Sequence, residues 1–546
     1  MLRILIYFSL PLWINLLVLY TTNFWGFDGV KPFVAIGNAF TLLAIGIIWL
    51  YNLKIKSNIH LDNSGLFAKI FPYLFAGQFL LFILYPFQNL NYGDGIILLE
   101  NVFLEGSLFG YQISLDEIWE AFLHSYVFSL FPHDPRLIYR VFSTIAGFLF
   151  LAMSIHIYQK ERLDKSIYSL LLFLSPGGLL LFYGYSENYT LITMYLFFML
   201  YLGRQWILEN KDETSIFYMA ILGAIGASFH LVFGYMIISL VYYTWYISKK
   251  KNFIRNSIIA SCIGVGWIGG LFAYFLFFSD PTTNPSQTHV LTPPLYPWKR
   301  LISMNHLKEI LSVTWFTTAF PITIISLSFL FKKKESIEIL KKPENKYILF
   351  AALGFYIHSF VHNPSLGFPA DWDLFSFYFI PLTYLAFILF PVLNNYIIYT
   401  IPLAIYFIGF QISLATHLTD NPPENEVEYH RTIEIAKDYI AKNRRSIQEV
   451  DPAKKKLYLK LDHFLYKAEI ILNKMSDNPG NQNKSELLTD IQKYKDELKR
   501  ETTGKEGKYS KQWLKNYLEK LTEFHHQFIL IRQEDKKYHL EMENSL

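Results

Sequence analysis

A single cysteine, Cys262, stands among 546 residues, so no disulfide framework and no Cys-built metal cluster is open to this chain. Charge is scarce too. Only 17% of residues are Asp, Glu, Lys or Arg, against about 25% in a soluble domain. Neither sign dominates: 49 basic residues face 45 acidic ones, for a net +4. That balance lacks the basic footprint of a nucleic-acid binder. No G-x-x-x-x-G-K-[ST] phosphate loop occurs, so nothing provides for a cytosolic nucleotide site.

Apolar residues take the place of charge. They make up 52% of the chain, and aromatic residues 18%. The mean hydropathy of +0.24 is lowered by a strongly polar stretch beginning near Asp420. Runs long enough to cross a bilayer recur before it. They read as spans at 3–21, 33–52, 67–87, 138–158, 166–184, 187–208, 214–230, 232–248, 257–279, 312–331, 347–363, 376–393 and 396–416, about thirteen in all. The first has no small-residue cleavage site after it and reads as a retained span. The fold class expected is an all-α polytopic membrane protein: a transmembrane domain over 1–416 and a soluble helical domain over 417–546.

The positive-inside rule sorts the loops. Lys54, Lys56 and Lys69; Lys160, Arg162 and Lys165; Lys249, Lys250, Lys251 and Arg255; and the run Lys332 to Lys346 all fall on one side of a thirteen-span chain. That side is the cytoplasm, with the N-terminus on it and the C-terminus outside. The expected location is the cytoplasmic (inner) membrane.

The outside face then collects the residues suited to chemistry. Asn91-Tyr92-Gly93-Asp94-Gly95 opens the long outside loop 88–138. An acid just past a span is costly unless it faces water, a cavity or a partner, and flanking glycines let the backbone turn sharply. Within the same loop, Ile118, Phe122, Tyr126 and Leu130 recur at helical spacing and predict an interfacial amphipathic helix. Asp116 and Glu117 stand where helix-capping acids are favoured. Arg140, where the next span begins, suits a phosphate by its fork of donors; pairing with an acid and snorkelling are the alternatives. Glu187, in Gly184-Tyr185-Ser186-Glu187-Asn188-Tyr189, fits a sugar hydroxyl or a helix cap equally. His230 reads as a structural histidine. His358 and His362 are spaced for a metal but have no glutamate between them and no third ligand.

Asp371-Trp372-Asp373 offers a ring to stack on a sugar and two carboxylates to take its hydroxyls. The alternative is an interfacial anchor with capping acids. The proline-rich loop 280–311 reads as a semi-ordered lid. It carries Lys299 and Arg300, outside cations that fit a lipid phosphate. Residues 425–446, 452–475, 484–502 and 508–540 read as polar helices with apolar stripes. They suggest tetratricopeptide-like hairpins without a convincing 34-residue repeat, and a docking surface for a protein partner.

With these residues laid out, the chain resembles the GT-C superfamily of polytopic glycosyltransferases, which includes protein O-mannosyltransferases and lipid A aminoarabinose transferases; the nearest likeness is to uncharacterised bacterial members. The segments that carry it are Tyr92-Gly93-Asp94-Gly95, Tyr139-Arg140-Val141-Phe142-Ser143 with Gly147, Gly184 to Tyr189, and Asp371-Trp372-Asp373-Leu374-Phe375, over about residues 65–416. Two departures stand out. Two extra spans precede the long loop, and no paired Asp-Asp or Asp-Glu occupies the Asp94 position. The resemblance implies an inverting transfer of sugar from a polyprenyl-phosphate donor to an acceptor hydroxyl of a glycan, lipid or protein. Asp94 would be the general base, Arg140, Lys299 or Arg300 the phosphate contact, and Glu187, Asp371, Trp372 and Asp373 the sugar or acceptor ligands. It implies no required cofactor and no obligatory metal. The competing functions are a transporter or flippase of lipid-linked sugars and a membrane scaffold working through its C-terminal helices.

Overall fold

The computed structural model describes residues 2–21, 27–55, 66–90, 93–112, 114, 116–161, 166–249, 251–274, 295–364, 367, 371–418, 423–450, 455–475, 484–503, 513 and 515–530. Asn91, Tyr92, Lys56, Arg162, Lys165, Lys250, most of the expected lid (280–294), Phe368 to Ala370 and the end of the last expected helix lie outside them.

The described chain is helical. In order run α1 (Leu2–Thr21), α2 (Phe27–Ile55), α3 (Leu66–Leu84), α4 (Gly95–Phe109), α5 (Ile118–Leu130), α6 (Pro135–Lys160), α7 (Leu171–Leu174), α8 (Thr190–Leu208), α9 (Thr214–Phe229) and α10 (Ile237–Ile247). They are followed by α11 (Phe253–Tyr274), α12 (Trp298–Leu301), α13 (Met304–Lys341), α14 (Pro343–Val361), α15 (Phe379–Leu389), α16 (Ile397–Leu418), α17 (Pro423–Glu449), α18 (Lys455–Lys474) and α19 (Lys484–Thr503). Two compact units result: Met1–Leu271 with Pro285–Glu428, and Phe272–Asn284 with Tyr429–Leu546.

Six described helical stretches are long and apolar enough to cross a membrane: Val30–Asn52, Pro135–Lys160, Thr190–Leu208, Phe253–Tyr274, Met304–Lys341 and Phe379–Thr416. Four shorter apolar helices accompany them. This is a multi-pass helical membrane protein; the described helices do not confirm the count of thirteen spans. The expected spans 376–393 and 396–416 form one apolar helical stretch joined through a 3-10 segment, Phe390–Tyr396.

The expected span 166–184 departs further. It is a 3-10 turn (Ile167–Leu170), the four residues of α7, and a second 3-10 turn (Gly177–Phe182), buried apart from Ile167. Ser175-Pro176-Gly177-Gly178 explains the break. Pro176 has no N–H to give and the glycines disfavour a helix. The exposed backbone finds side-chain partners: Ser143 Oγ donates to the Leu181 carbonyl and accepts from the Gly184 N–H, each at 2.8 Å. Irregular backbone at membrane depth is tolerated only when it is satisfied in this way.

The broken segment is wedged against a kink in α13. Thr318 leaves helical geometry three residues before Pro321, whose ring clashes with the preceding turn. Gly177 packs on the Phe316 carbonyl of that kink so closely that a Cβ would collide with it. Elsewhere α13 packs along α15, α2 along α16, and α10 along α14. Polar ties cross the apolar core. Arg204 of α8 pairs with Glu161 at the end of α6, and Tyr384 of α15 donates to the same carboxylate at 2.8 Å. Gln78 and Gln411 both donate to Tyr183 Oη, at 2.8 and 2.9 Å.

The string Gly264-Val265-Gly266-Trp267-Ile268-Gly269 has the G-x-G-x-x-G spacing, but it lies inside α11. No strand leads into it, so it is not the strand-to-helix turn of a dinucleotide fold. In the second unit, α17, α18 and α19 bury Tyr439, Leu465, Leu472 and Leu498 along their apolar stripes.

Gly177 and Gly264 make a matched test. Gly177→Ala should destabilise the protein by about 1–3 kcal/mol through overpacking. Gly264, with no heavy atom near its missing Cβ, should accept alanine within about 0.5 kcal/mol. Thermal unfolding in detergent, followed by tryptophan fluorescence, reads both; equal shifts would refute the wedge.

Candidate functional site: an acid cluster between two glycine turns

Residues 93–95 turn between α3 and α4 with Gly93 in the left-handed region, φ 77°. The missing side chain serves a second purpose. A Cβ on Gly93 would fall on Glu187 Oε1 and lie 3.1 Å from Tyr185 Oη. The Asp94 N–H donates to the Glu187 carboxylate. Gly95 stacks on the next residue of the same turn, its Cβ position 3.3 Å from the Ser186 carbonyl. Gly184 is also left-handed, φ 73°, and receives the Arg140 side chain, whose Cγ is 2.9 Å from its Cβ position. Segments nearly a hundred residues apart in sequence thus meet through glycines.

Five carboxylates gather at this contact. Glu187 is 3% exposed and Asp373 1%. Glu187 feels Asp373, Asp94 and Glu117 in turn, and Asp373 feels Asp371. Asp94 itself is solvent-exposed and Asp371 half-buried. Both buried acids lie in turns outside the spans. Burial first, then the neighbouring acids, pushes the Glu187 carboxyl well above its ordinary range; burial and Asp371 do the same for Asp373. Neutral carboxyls are what such crowding demands, because like charges this close cannot all ionise. A Tyr185 side-chain hydrogen bond holds Asp373, as does the Leu374 N–H at 2.8 Å.

The expected ligands separate on this geometry. Asp94, Glu187, Asp371 and Asp373 come together, with Arg140 beside them on Gly184. Trp372 requires correction. Its ring is fully buried, tilted on Tyr185 at 5.7 Å and edge-on to Phe316 at 5.3 Å. With protein rings on it, Trp372 has no face for a sugar, and it is no interfacial anchor either. Arg300 binds Glu309 at 2.6 Å and lies 5.8 Å over the Tyr296 ring. Lys299 is exposed and has no ion pair among the described residues. Neither cation is joined to the acids. His358 and His362 sit with ring centroids 4.9 Å apart. No cluster of three or more His, Cys, Asp or Glu suited to a metal occurs among the described residues.

Several participants escaped the sequence reading. The acids at the start of α5 do not cap it: Glu117 occupies the N-cap position without a side-chain cap bond. Glu117 instead accepts from Asn188 Nδ2 at 2.6 Å and meets His230 Nε2 at 3.2 Å. Glu120, wholly buried one turn on, accepts the Ile192 N–H at the start of α8 at 3.2 Å. Burial raises the pKa of its carboxyl to about 8 and lowers the pKa of the neighbouring His124 imidazole to about 4. Helix α4 was also missed, although Gly95, Leu99, Val102 and Gly106 sit at helical spacing on its buried side. Its capping residue is Asp94, whose side chain makes no cap bond.

These elements define a class: a multi-pass helical membrane protein with a buried acid cluster opening on one exposed aspartate. Among solved structures, the chain is similar to the crystal structure of ArnT from Cupriavidus metallidurans in the apo state. The two are 11% identical, over 79% of this chain and 73% of that one, with a TM-score of 0.39. At that level no residue role passes from one chain to the other. No protein-family model and no curated protein matches the sequence.

Glu120 yields a pH test. Its folded carboxyl holds a proton up to about pH 8, while the unfolded one releases it near 4.5. Across that window the folded state binds more protons, so the stability this group contributes falls as pH rises. Melting temperature measured from pH 4.5 to 8 should decline less steeply in Glu120→Gln than in the parent protein. Parallel curves would show that Glu120 is ionised.

Proposed function

We propose that this protein is an integral-membrane glycosyltransferase of the GT-C type, moving a sugar from a polyprenyl-phosphate donor to an acceptor hydroxyl with inversion. One observation carries the reading. Three of the segments that resemble the superfamily, around Asp94, Glu187 and Asp373, converge on a single contact although the chain separates them widely. Convergence of chemically apt residues from remote segments is what a site requires and what helix packing alone does not.

In this mechanism the acceptor oxygen attacks the anomeric carbon from the face opposite the phosphate. A new C–O bond forms as the bond to the phosphate oxygen breaks, and the electron pair leaves with the polyprenyl phosphate. Asp94 takes the hydroxyl proton. It is the most exposed of the expected acids, and a base must reach the proton it removes. Glu187 stays protonated. Its neutral carboxyl fixes the Asp94 backbone without a second charge, and its Oε1 has no hydrogen-bond partner among the described residues. Asp371 and Asp373 orient sugar or acceptor. Arg140 contacts the leaving phosphate, whose growing charge needs stabilising more than protonating. Lys299 and Arg300 stand as weaker candidates for the lipid headgroup, since Arg300 is committed to Glu309. The chemistry lies on the outer face of the cytoplasmic membrane, and the donor is a lipid-linked sugar in place of a nucleotide sugar.

The test is Asp94→Asn in purified protein given a polyprenyl-phosphate sugar and a pool of envelope acceptors. Sugar transfer and polyprenyl-phosphate release should both fall by about 100-fold or more, with expression and melting temperature unchanged. Full turnover in Asp94→Asn would remove Asp94 from the reaction.

A further inference from the structure

Helix α5 lies beside the acid cluster and sends none of the expected ligands into it. It is nevertheless bound to two turns at once. On one side, Glu117 accepts from Asn188 Nδ2, and Asn188 Oδ1 accepts from Tyr139 Oη at 3.1 Å. On the other, Glu117 meets His230 Nε2 at 3.2 Å. Two further bonds fasten the same side: the Leu231 N–H donates to the Asp116 carbonyl at 3.0 Å, and Trp119 Nε1 donates to Ser228 Oγ at 3.1 Å.

Every donor in this chain has one direction. Val232 N–H donates to His230 Nδ1 at 3.1 Å, so that nitrogen carries no proton and Nε2 does. Neutral His230 therefore already donates to Glu117. Asn188 spends its amide N–H on Glu117, which leaves its oxygen for Tyr139. Asn188, 1% exposed, sits next to Glu187, and Tyr139 is clamped by the His124 ring at 4.0 Å. Buried polar chains of this kind specify one arrangement, because each broken link strands a partner in a dry place.

We infer that Glu117 and His230 are positioning residues: they form a strut, running through Asn188, that holds the Glu187 turn against the Gly93–Asp94 turn. The strut makes the site's geometry depend on where α5 lies at the membrane surface. The bonding pattern stands by itself; its catalytic consequence rests on the transferase reading above. Glu117 and His230 touch no reacting atom. They act on Glu187 through Asn188, and Glu187 in turn holds the Asp94 N–H.

Hydrogen exchange on the full-length protein in nanodiscs tests the strut without a substrate. Glu117→Ala and His230→Ala should speed exchange of a peptide covering 184–192 by about tenfold, leaving peptides from α13 and α15 unchanged. His230→Gln, which keeps a donor for Glu117, should retain the parent's protection. Where the parent protein transfers sugar, both alanine variants should lower kcat about tenfold with KM for the lipid donor unchanged, the mark of lost alignment rather than lost binding. Unaltered exchange at 184–192 in both alanine variants overturns the strut. Faster exchange throughout the chain does so too, since that reports general loosening. A parent protein with no transfer refutes the transferase reading alone, and the exchange result still decides the strut.

Discussion

Glu187 occupies the space that any side chain at position 93 would need. That close approach governs the turns that carry the acid cluster. It requires a glycine, and in a left-handed turn glycine carries no steric penalty. It brings the Asp94 N–H to the carboxylate. It also removes Glu187 from water beside other acids, which makes the neutral form the stable one. A difference within the cluster follows: the buried Glu187 carboxyl sets the backbone, and Asp94 beside it faces solvent. A second glycine, Gly184, repeats the device one turn away and lets Arg140 lie across the same loop.

The scaffold beneath is shaped by similar exclusions. Pro176 and two glycines prevent a continuous helix over 166–184, and the resulting 3-10 pieces fit into the bend that Pro321 puts in α13. Trp372 closes the space between that bend and Tyr185. Its large apolar ring is worth more packed than presented to a ligand. The loop carrying Asp371 and Asp373 is thereby anchored by its central residue, and the acids on either side are held in register with Glu187.

Helix α5 is built to be both surface and strut. Tyr126 and Leu130 face outward as an interfacial helix requires, while Glu117, Glu120 and His124 turn inward. Burying acids there is costly unless each finds a donor. Glu117 finds Asn188 and His230; Glu120 finds the start of α8. Acids that helix-capping rules assign to the end of α5 thus organise two other elements.

Much of this was open to the sequence. Composition and apolar run length determine a multi-pass helical membrane protein, because twenty apolar residues have few other solutions. The paired glycines around Asp94 mark a tight turn, and the spacing of Ile118, Phe122 and Tyr126 marks α5. Tertiary structure alone decided the rest. Trp372 has the composition of a sugar platform, and only packing shows that its ring is covered. Glu117 has the position of a cap, and only the approach of Asn188 and His230 redirects it. The segment 166–184 has the hydropathy of a span, and only the bend in α13 receives its broken form. Periodicity reports which face of an element is apolar. It carries no record of which remote group will meet that face, and buried acids take their roles from those meetings.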